Sequence, residues 1–233
     1  MLRSVILDMD GVIIDSHPAH REAWKTFLQS LNRTVSDTEL DFVLDGRKRA
    51  EILRHFLGEL PDEQIRELGN RKDYFFRKAS LQVKLIPGVV DFLSSVRKAG
   101  IVMGVATSAS ESRTRHTLET LQLLDKFEVI VTGNDVALGK PDPSIYSLAC
   151  KRLNVAPRSA LAIEDAVSGI RAARAAGVTC IAVADHQSHQ TLRAAGAAHV
   201  IKNFVGLSVS QLELLHVNRS DNAPPSTAQF SAQ

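Results

Sequence analysis

The sequence predicts an α/β protein built on a parallel sheet, and three observations carry that expectation. Short apolar runs alternate with segments of helical period from residue 85 to residue 201, as in strand–helix–strand units. Acids twice arrive where such a run ends, Asp8 and Asp10 after the first and Glu164 and Asp165 after a later one. The carboxyl ends of parallel strands are where open α/β sheets hold their ligands. Between the first run and the rest, residues 16–83 read as helices only.

Ser4 to Leu7 is rich in β-branched residues and has no polar alternation, which predicts a strand buried on both faces, and Gly11 marks the turn after it. Asp8 and Asp10, one residue apart, repel each other unless a cation or a proton lies between them, and an oxygen-seeking ion such as Mg2+ meets that need. Beside such an ion one carboxylate can attack phosphorus while its neighbour handles a proton. The same residues would suit a plain turn or the start of a calcium loop. No glutamate stands at the twelfth position that a calcium loop in this register requires.

In the helical stretch, Ala23, Trp24, Phe27, Leu28 and Leu31 form the apolar stripe of a helix over 19–32, and His20 shares it. A histidine there is ordinarily a core residue, but its closeness to Asp10 gives it a second role, meeting substrate or orienting the acid. Ser36 and Glu39 have the spacing of a capping box for a short helix ending near Gly46. Ile52, Leu53, Phe56 and Leu57 predict the next helix, and Pro61 opens one carrying Ile65, Leu68, Phe75, Phe76 and Ala79. Arg49 and Lys72 fall on these apolar faces. Either their stems cover apolar surface with the heads in water, or the heads meet an anion in a cleft, the arginine as a two-pronged phosphate clamp.

After Leu85-Ile-Pro-Gly88, a helix with Val90, Leu93, Val96 and Ala99 inward is expected to stop at Gly100. The strand over 101–106 delivers Thr107 and Ser108 to the rim, hydroxyls that a turn alone would explain. A strand over 128–131 leads to Lys140. Gly133 and Gly139 suggest a nucleotide phosphate loop, but their spacing and the proline after the lysine exclude it. Asp142 and Pro143 open a helix with Ile145, Leu148 and Leu153. The strand over 160–163 ends in Glu164-Asp165, an alanine-rich helix stops at Gly177, and strands over 180–184 and 199–201 follow. Two prolines and small polar residues predict a flexible tail over 218–233.

The 233 residues carry a net charge of +2 with scattered basic residues, so no nucleic-acid partner is expected. No apolar run has the length of a membrane span or a signal core, so neither a membrane association nor export is expected. Cys150 and Cys180 lie far apart in apolar surroundings with no metal spacing, as buried thiols of a cytoplasmic protein would. A monomer is expected.

Asp8-x-Asp10-Gly11-Val12-Ile13-x-Asp15-Ser16 resembles the first motif of the haloacid dehalogenase superfamily, in the branch whose cap lies between the first strand and the second core segment. Thr107-Ser108, Lys140-Pro-Asp-Pro143 and Glu164-Asp165 resemble its second, third and fourth motifs in order, and the likeness covers nearly the whole chain up to the tail. It implies a Rossmann-like parallel core (1–15 and 84–217), a small α-helical cap domain inserted after the first strand (16–83), and Mg2+-dependent phosphoryl transfer. Asp8 would be the nucleophile, Asp10 the acid and base, and Ser108, Ala109 and Lys140 the holders of the phosphoryl group. Asp8, the Asp10 carbonyl, Asp165 and, directly or through water, Glu164 would hold the metal.

Gly46-x-x-Arg49 and Arg71-Lys72 resemble the cap elements with which β-phosphoglucomutases hold a sugar phosphate, and His20-x-x-Ala23-Trp24 is shared with sugar phosphatases. On that likeness Gly11, His20, Gly46, Arg49, Lys72 and Ala109 are the expected substrate contacts. The acid at Asp10 argues against dehalogenases and phosphonatases. Glu111-Ser112 stands where the mutases carry Lys-Asn, and a buried glutamate there would repel a distal phosphate by on the order of a few kcal/mol. The expectation is therefore a phosphatase acting on a small phosphorylated metabolite, a sugar phosphate. A phosphosugar mutase is the alternative, and a non-catalytic phosphate-binding module is the third reading.

Overall fold

The computed structural model describes residues 1–80, 83–184 and 188–220, with side chains as far as residue 216. Six parallel strands form one sheet: β1 (Ser4–Leu7), β4 (Val102–Ala106), β5 (Val129–Val131), β6 (Ala160–Glu164), β7 (Thr179–Val183) and β8 (His199–Ile201). Their order is β5-β4-β1-β6-β7-β8, which places β1 inside the sheet with Leu7 level with Val105 and Ile163. Val5 and Leu7 enter an apolar cluster with Phe92, Leu118 and Leu161, whereas Ile6 enters the opposite one with Ala106, Tyr146 and Ile170. Strand side chains alternate between faces, and here both faces are covered, so polar alternation has no place in β1.

The covering helices fall into two sets. On the Leu7 face lie α4 (Val89–Lys98), α5 (Glu111–Thr120) and α9 (Val209–Ser220), through Phe92, Leu118 and Leu212. On the Ile6 face lie α6 (Ser144–Arg152), α7 (Val167–Ala175) and α8 (His189–Ala195), through Tyr146, Ile170 and Leu192. This is the Rossmann-like α/β arrangement that the sequence predicts.

Two details differ from expectation. Helix α4 buries Val89, Phe92, Leu93 and Val96, whereas Val90 is 43% exposed and Ala99 is exposed. The buried set follows the i, i+3, i+4, i+7 spacing of a 3.6-residue period, so Leu93 and Val96 face inward as expected, while the expected three-residue spacing put Val90 and Ala99 in place of Val89 and Phe92. At the other end, α9 carries the chain to Ser220 as helix, past Asn218 where the tail was expected, and residues 221–233 lie outside the described residues.

Two short strands, β2 (Ile14–Asp15) and β3 (Lys84–Leu85), pair antiparallel, so the chain's departure toward the helical stretch and its return lie side by side. Between them come α1 (His17–Gln29), α2 (Arg49–Leu57) and α3 (Asp62–Ala79), with their own apolar cluster of Trp24, Phe27, Leu28, Leu40, Leu53 and Phe56. Each of the large rings contributes roughly 1.5–3 kcal/mol by leaving water. The capping box forms, with Ser36 N donating to Glu39 Oε2 at 2.8 Å and Glu39 N to Ser36 Oγ at 3.2 Å, but it opens a 3₁₀ segment, Glu39–Leu44. Among the described residues no helix is long and apolar enough to cross a membrane.

Candidate active site

Because β4, β1 and β6 are adjacent, the residues that follow them share one rim. Oxygens of Asp8, Glu164 and Asp165 there lie within 4.8 Å of one another, all three residues buried. So many like charges out of water require compensation. Lys140 supplies it, with Nζ 2.6 Å from Glu164 Oε1, 3.1 Å from Asp8 Oδ1, and donating to Ala106 O at 3.0 Å. Burial alone would lower the Lys140 ammonium, but Asp8 and Glu164 raise it above the ordinary lysine value. Tyr146 donates its hydroxyl to Glu164 Oε1 at 2.5 Å, and His17 Nε2 lies 3.0 Å from Asp165 Oδ2. Burial still lifts Asp8 to about 7 against the pull of Lys140, with Glu164 and Asp10 adding to the rise. Glu164 and Asp165 are likewise raised by burial.

Asp8 Oδ1 and Asp165 Oδ2 are buried, with Lys140 Nζ 3.1 Å from the first and His17 Nε2 3.0 Å from the second. Three buried carboxylates with oxygens within 4.8 Å of one another are an all-oxygen donor set that fits a hard divalent cation such as Mg2+. Glu164 is less open to that role, because Lys140 and Tyr146 both take its Oε1.

Asp10 faces different partners. Ser16 Oγ donates to its Oδ1 at 2.6 Å, His20 Nε2 lies 3.3 Å from the same oxygen, and Arg113 donates Nη1 to Oδ1 at 3.0 Å and Nη2 to Oδ2. Burial would raise this acid, but Arg113 and then His20 hold it well below the usual carboxylate range. The His20 ring stacks on Phe76 with centroids 4.3 Å apart, and its Nδ1 lies 3.2 Å from Lys72 Nζ. Burial and the Lys72 charge lower the imidazole to about 3, so it is neutral, and a Lys72 ammonium donating to Nδ1 leaves the Nε2 proton for Asp10. Burial, with Arg113 next, pushes Lys72 itself down to about 7.

Above this floor opens a cleft of about 330 Å³. Of the expected substrate contacts, His20, Gly46, Arg49, Lys72 and Ala109 line it, along with Asp8, Asp10 and Ser108. Several are already engaged. Arg49 turns its guanidinium to the Asp73 carboxylate and to Gly69 O, the latter at 3.2 Å. Ser108 Oγ donates to Gly46 O at 2.5 Å, and the Ala109 N–H donates to Thr107 Oγ1 at 3.2 Å. Glu111 corrects an expectation: its side chain is exposed and pairs with Arg115 at 2.9 Å, so the burial on which the expected repulsion depended is absent. Arg113, Ser16 and His17 were not anticipated. Residue type does not separate Arg113 from Arg115, since only the phase of α5 turns one inward.

Gly11 lies under the floor, outside the lining of the cleft. Its φ is +73°, and a Cβ would run into the Asp165 carboxylate and the His17 ring. Gly11→Ala should therefore cost at least about 1–2 kcal/mol in backbone strain alone and displace Asp165. The expected result is a lower melting temperature together with a raised Mg2+ concentration for half-maximal turnover. A variant matching the parent in both would show that Gly11 does not fix the acid.

Residues 5–183 match the family of haloacid dehalogenase-like hydrolases. The chain is 32% identical to a phosphorylated carbohydrates phosphatase of Thermotoga maritima, over 86% of this chain and 94% of that one. It is also 32% identical to a β-phosphoglucomutase of Bacillus subtilis, over 92% and 94% respectively. The crystal structure of CbbY from Rhodobacter sphaeroides in complex with phosphate superposes with a TM-score of 0.79 at 28% identity, covering 91% of this chain and all of that one. With the sheet order, the acids on its rim and these matches in agreement, the chain belongs to the haloacid dehalogenase-like hydrolases, among their phosphatases and phosphoglucomutase-like enzymes.

Proposed function

We propose that the chain is a Mg2+-dependent phosphatase that hydrolyses a small phosphorylated metabolite, a sugar phosphate, through an aspartyl-phosphate, in the cytoplasm. The observation that carries this is Asp8, set among Lys140, Glu164 and Asp165 beneath a cleft whose walls carry His20, Arg49 and Lys72. Asp8, Asp165 and the Asp10 carbonyl would hold Mg2+, which when bound neutralises charge between the carboxylates and the phosphoryl oxygens. An Asp8 oxygen attacks phosphorus, the bond from phosphorus to the sugar oxygen breaks, and that oxygen takes a proton that Asp10, ionised while Arg113 holds it, has first gained from solvent or from the entering phosphate monoester. Asp10 then takes a proton from water, the water oxygen bonds to phosphorus, and the Asp8 bond breaks to release phosphate. Lys140 and Ser108 steady the oxygens that carry charge in both steps. The helices over 17–79 close the cleft against bulk water. The Thermotoga maritima relative's name, a phosphatase of phosphorylated carbohydrates, supports the substrate class.

One observation favours the mutase as a second reading. Glu111 is exposed and paired with Arg115, so the charge objection to a second phosphate, which needed a buried glutamate, falls. The test is a panel of sugar and polyol phosphates with Mg2+, scored for both free phosphate and isomer. Free phosphate from at least one sugar phosphate, abolished by a chelator and restored by Mg2+, is the expected result. If β-glucose 1-phosphate with a bisphosphate primer gives glucose 6-phosphate faster than phosphate, the mutase replaces the phosphatase.

A further inference from the structure

The geometry points to Arg113 as a positioning residue shared between Asp10 and the substrate. Its two-pronged hold on the Asp10 carboxylate breaks when a phosphoryl anion enters the cleft, and the guanidinium passes to that anion. This rests on the reading of Asp10 as proton donor and acceptor, and it adds a condition on when Asp10 is free to act.

The case starts from the two oxygens of Asp10. Oδ1 accepts from Ser16 Oγ and Arg113 Nη1, with His20 Nε2 3.3 Å away. Oδ2 is held, among the described residues, by Arg113 Nη2. A carboxylate oxygen has room for about two donors, and one gripped in a charge-assisted fork is turned toward its cation instead of toward a leaving oxygen or an attacking water. Oδ1 is crowded by three groups, so Oδ2 is the oxygen left for the reaction, and Arg113 sits on it.

Which partner yields follows from how each is held. Ser16 is on the same chain segment as Asp10 and is fully buried. His20 is pinned between Phe76 and Lys72. Arg113 reaches in from α5 on a long side chain, lies with its guanidinium carbon 5.0 Å from the centre of the Phe76 ring, and lines the cleft. A guanidinium accepts a phosphate through the same fork that it offers a carboxylate, so the exchange loses little geometry. Of the other cations that line the cleft, Arg47 holds Asp45 and Lys72 meets His20 Nδ1, so neither touches Asp10 directly. Lys48 holds the carbonyls of Val136 and Ala137, and Arg49 holds Asp73. Among the described cations that line the cleft, Arg113 is the one hydrogen-bonded directly to Asp10, the group that must move a proton. Asp10 is therefore released when an anion is present, and water by itself meets an Asp10 that is held.

The test is calorimetric binding of inorganic phosphate, with Mg2+, to the full chain, to Arg113→Met, to Asp10→Asn and to the double variant. Arg113→Met should weaken phosphate on the order of tenfold to a hundredfold, the worth of a charge-assisted pair. Asp10→Asn should tighten it, because the guanidinium no longer has to leave a carboxylate, and that tightening should shrink several-fold when Arg113 is absent. Removal of charge alone predicts the same tightening in both backgrounds, and that result overturns the exchange. Phosphate affinity unchanged in Arg113→Met, or no phosphate binding by the parent, also overturns it. Should Arg113→Met melt below the working temperature, the cycle is run with Arg113→Lys, which keeps the charge but spans one oxygen at a time and should show a partly reduced coupling. Phosphate binding needs no turnover, so failure of the exchange and failure of the phosphatase reading give different results.

Discussion

Asp8→Asn should abolish turnover, by at least about 10⁴-fold in kcat, the scale on which removing a nucleophile acts, while leaving the fold intact. The amide has the size of the carboxylate but cannot form a stable acyl phosphate, and the rest of the site is left in place. Stability should hold because Asp8 is one of three buried acids within 4.8 Å, and burial, which pushes its carboxyl up to about 7, makes it costly to keep ionised. Taking that charge away relieves Glu164 and Asp165 and still leaves Lys140 its 2.6 Å partner in Glu164. Melting at or above the parent's temperature, with phosphate still bound, is the expected companion result. The variant thereby also separates an enzyme from a non-catalytic binder on an inherited fold, since a binder keeps its function. Residual turnover above about 1% of the parent, on the same scale, would remove Asp8 from the role of nucleophile.

The floor of the site was legible in the sequence because it is written in short range. Asp8 and Asp10 follow one apolar run, Glu164 and Asp165 end another, and a parallel sheet brings such ends to one rim. The walls were less legible, for reasons that concern side chains. Arg49 and Lys72 fall where the helical period puts them, but the period does not say that Arg49 meets Asp73 or that Lys72 meets His20 Nδ1. Arg113 was invisible because it is separated by 103 positions from the Asp10 that it grips, and nothing distinguishes it from the exposed Arg115 except the angle at which α5 leaves Ser110. The same limit explains Glu111. A glutamate at that position reads as a charge in the site until the helix start is fixed, and then it points to solvent.

Lys140→Met should lose both stability and turnover, and the stability loss is the more informative. Lys140 is fully buried, and its ammonium sits between Asp8 and Glu164 with Ala106 O as a third partner. Methionine fills a similar volume but leaves three acids with no lysine among them. Removing one partner of a buried pair costs about 3–5 kcal/mol, more than a solvent-exposed pair would by several-fold. The deficit should depend on pH with a definite sign. Without the lysine, the folded-state acids are raised further above their unfolded values, so between those two values the folded chain binds more protons than the unfolded chain. Stability then falls as pH rises, and the gap between variant and parent should be small near pH 5 and larger near pH 8. Mg2+ should narrow that gap, because a cation bound by the same acids stabilises the folded state through mass action. Melting curves of parent and variant at the two pH values, with and without Mg2+, decide the matter. Equal melting throughout would mean that Lys140 does not hold these carboxylates together, and the charge balance on which the site is built would have to be drawn differently.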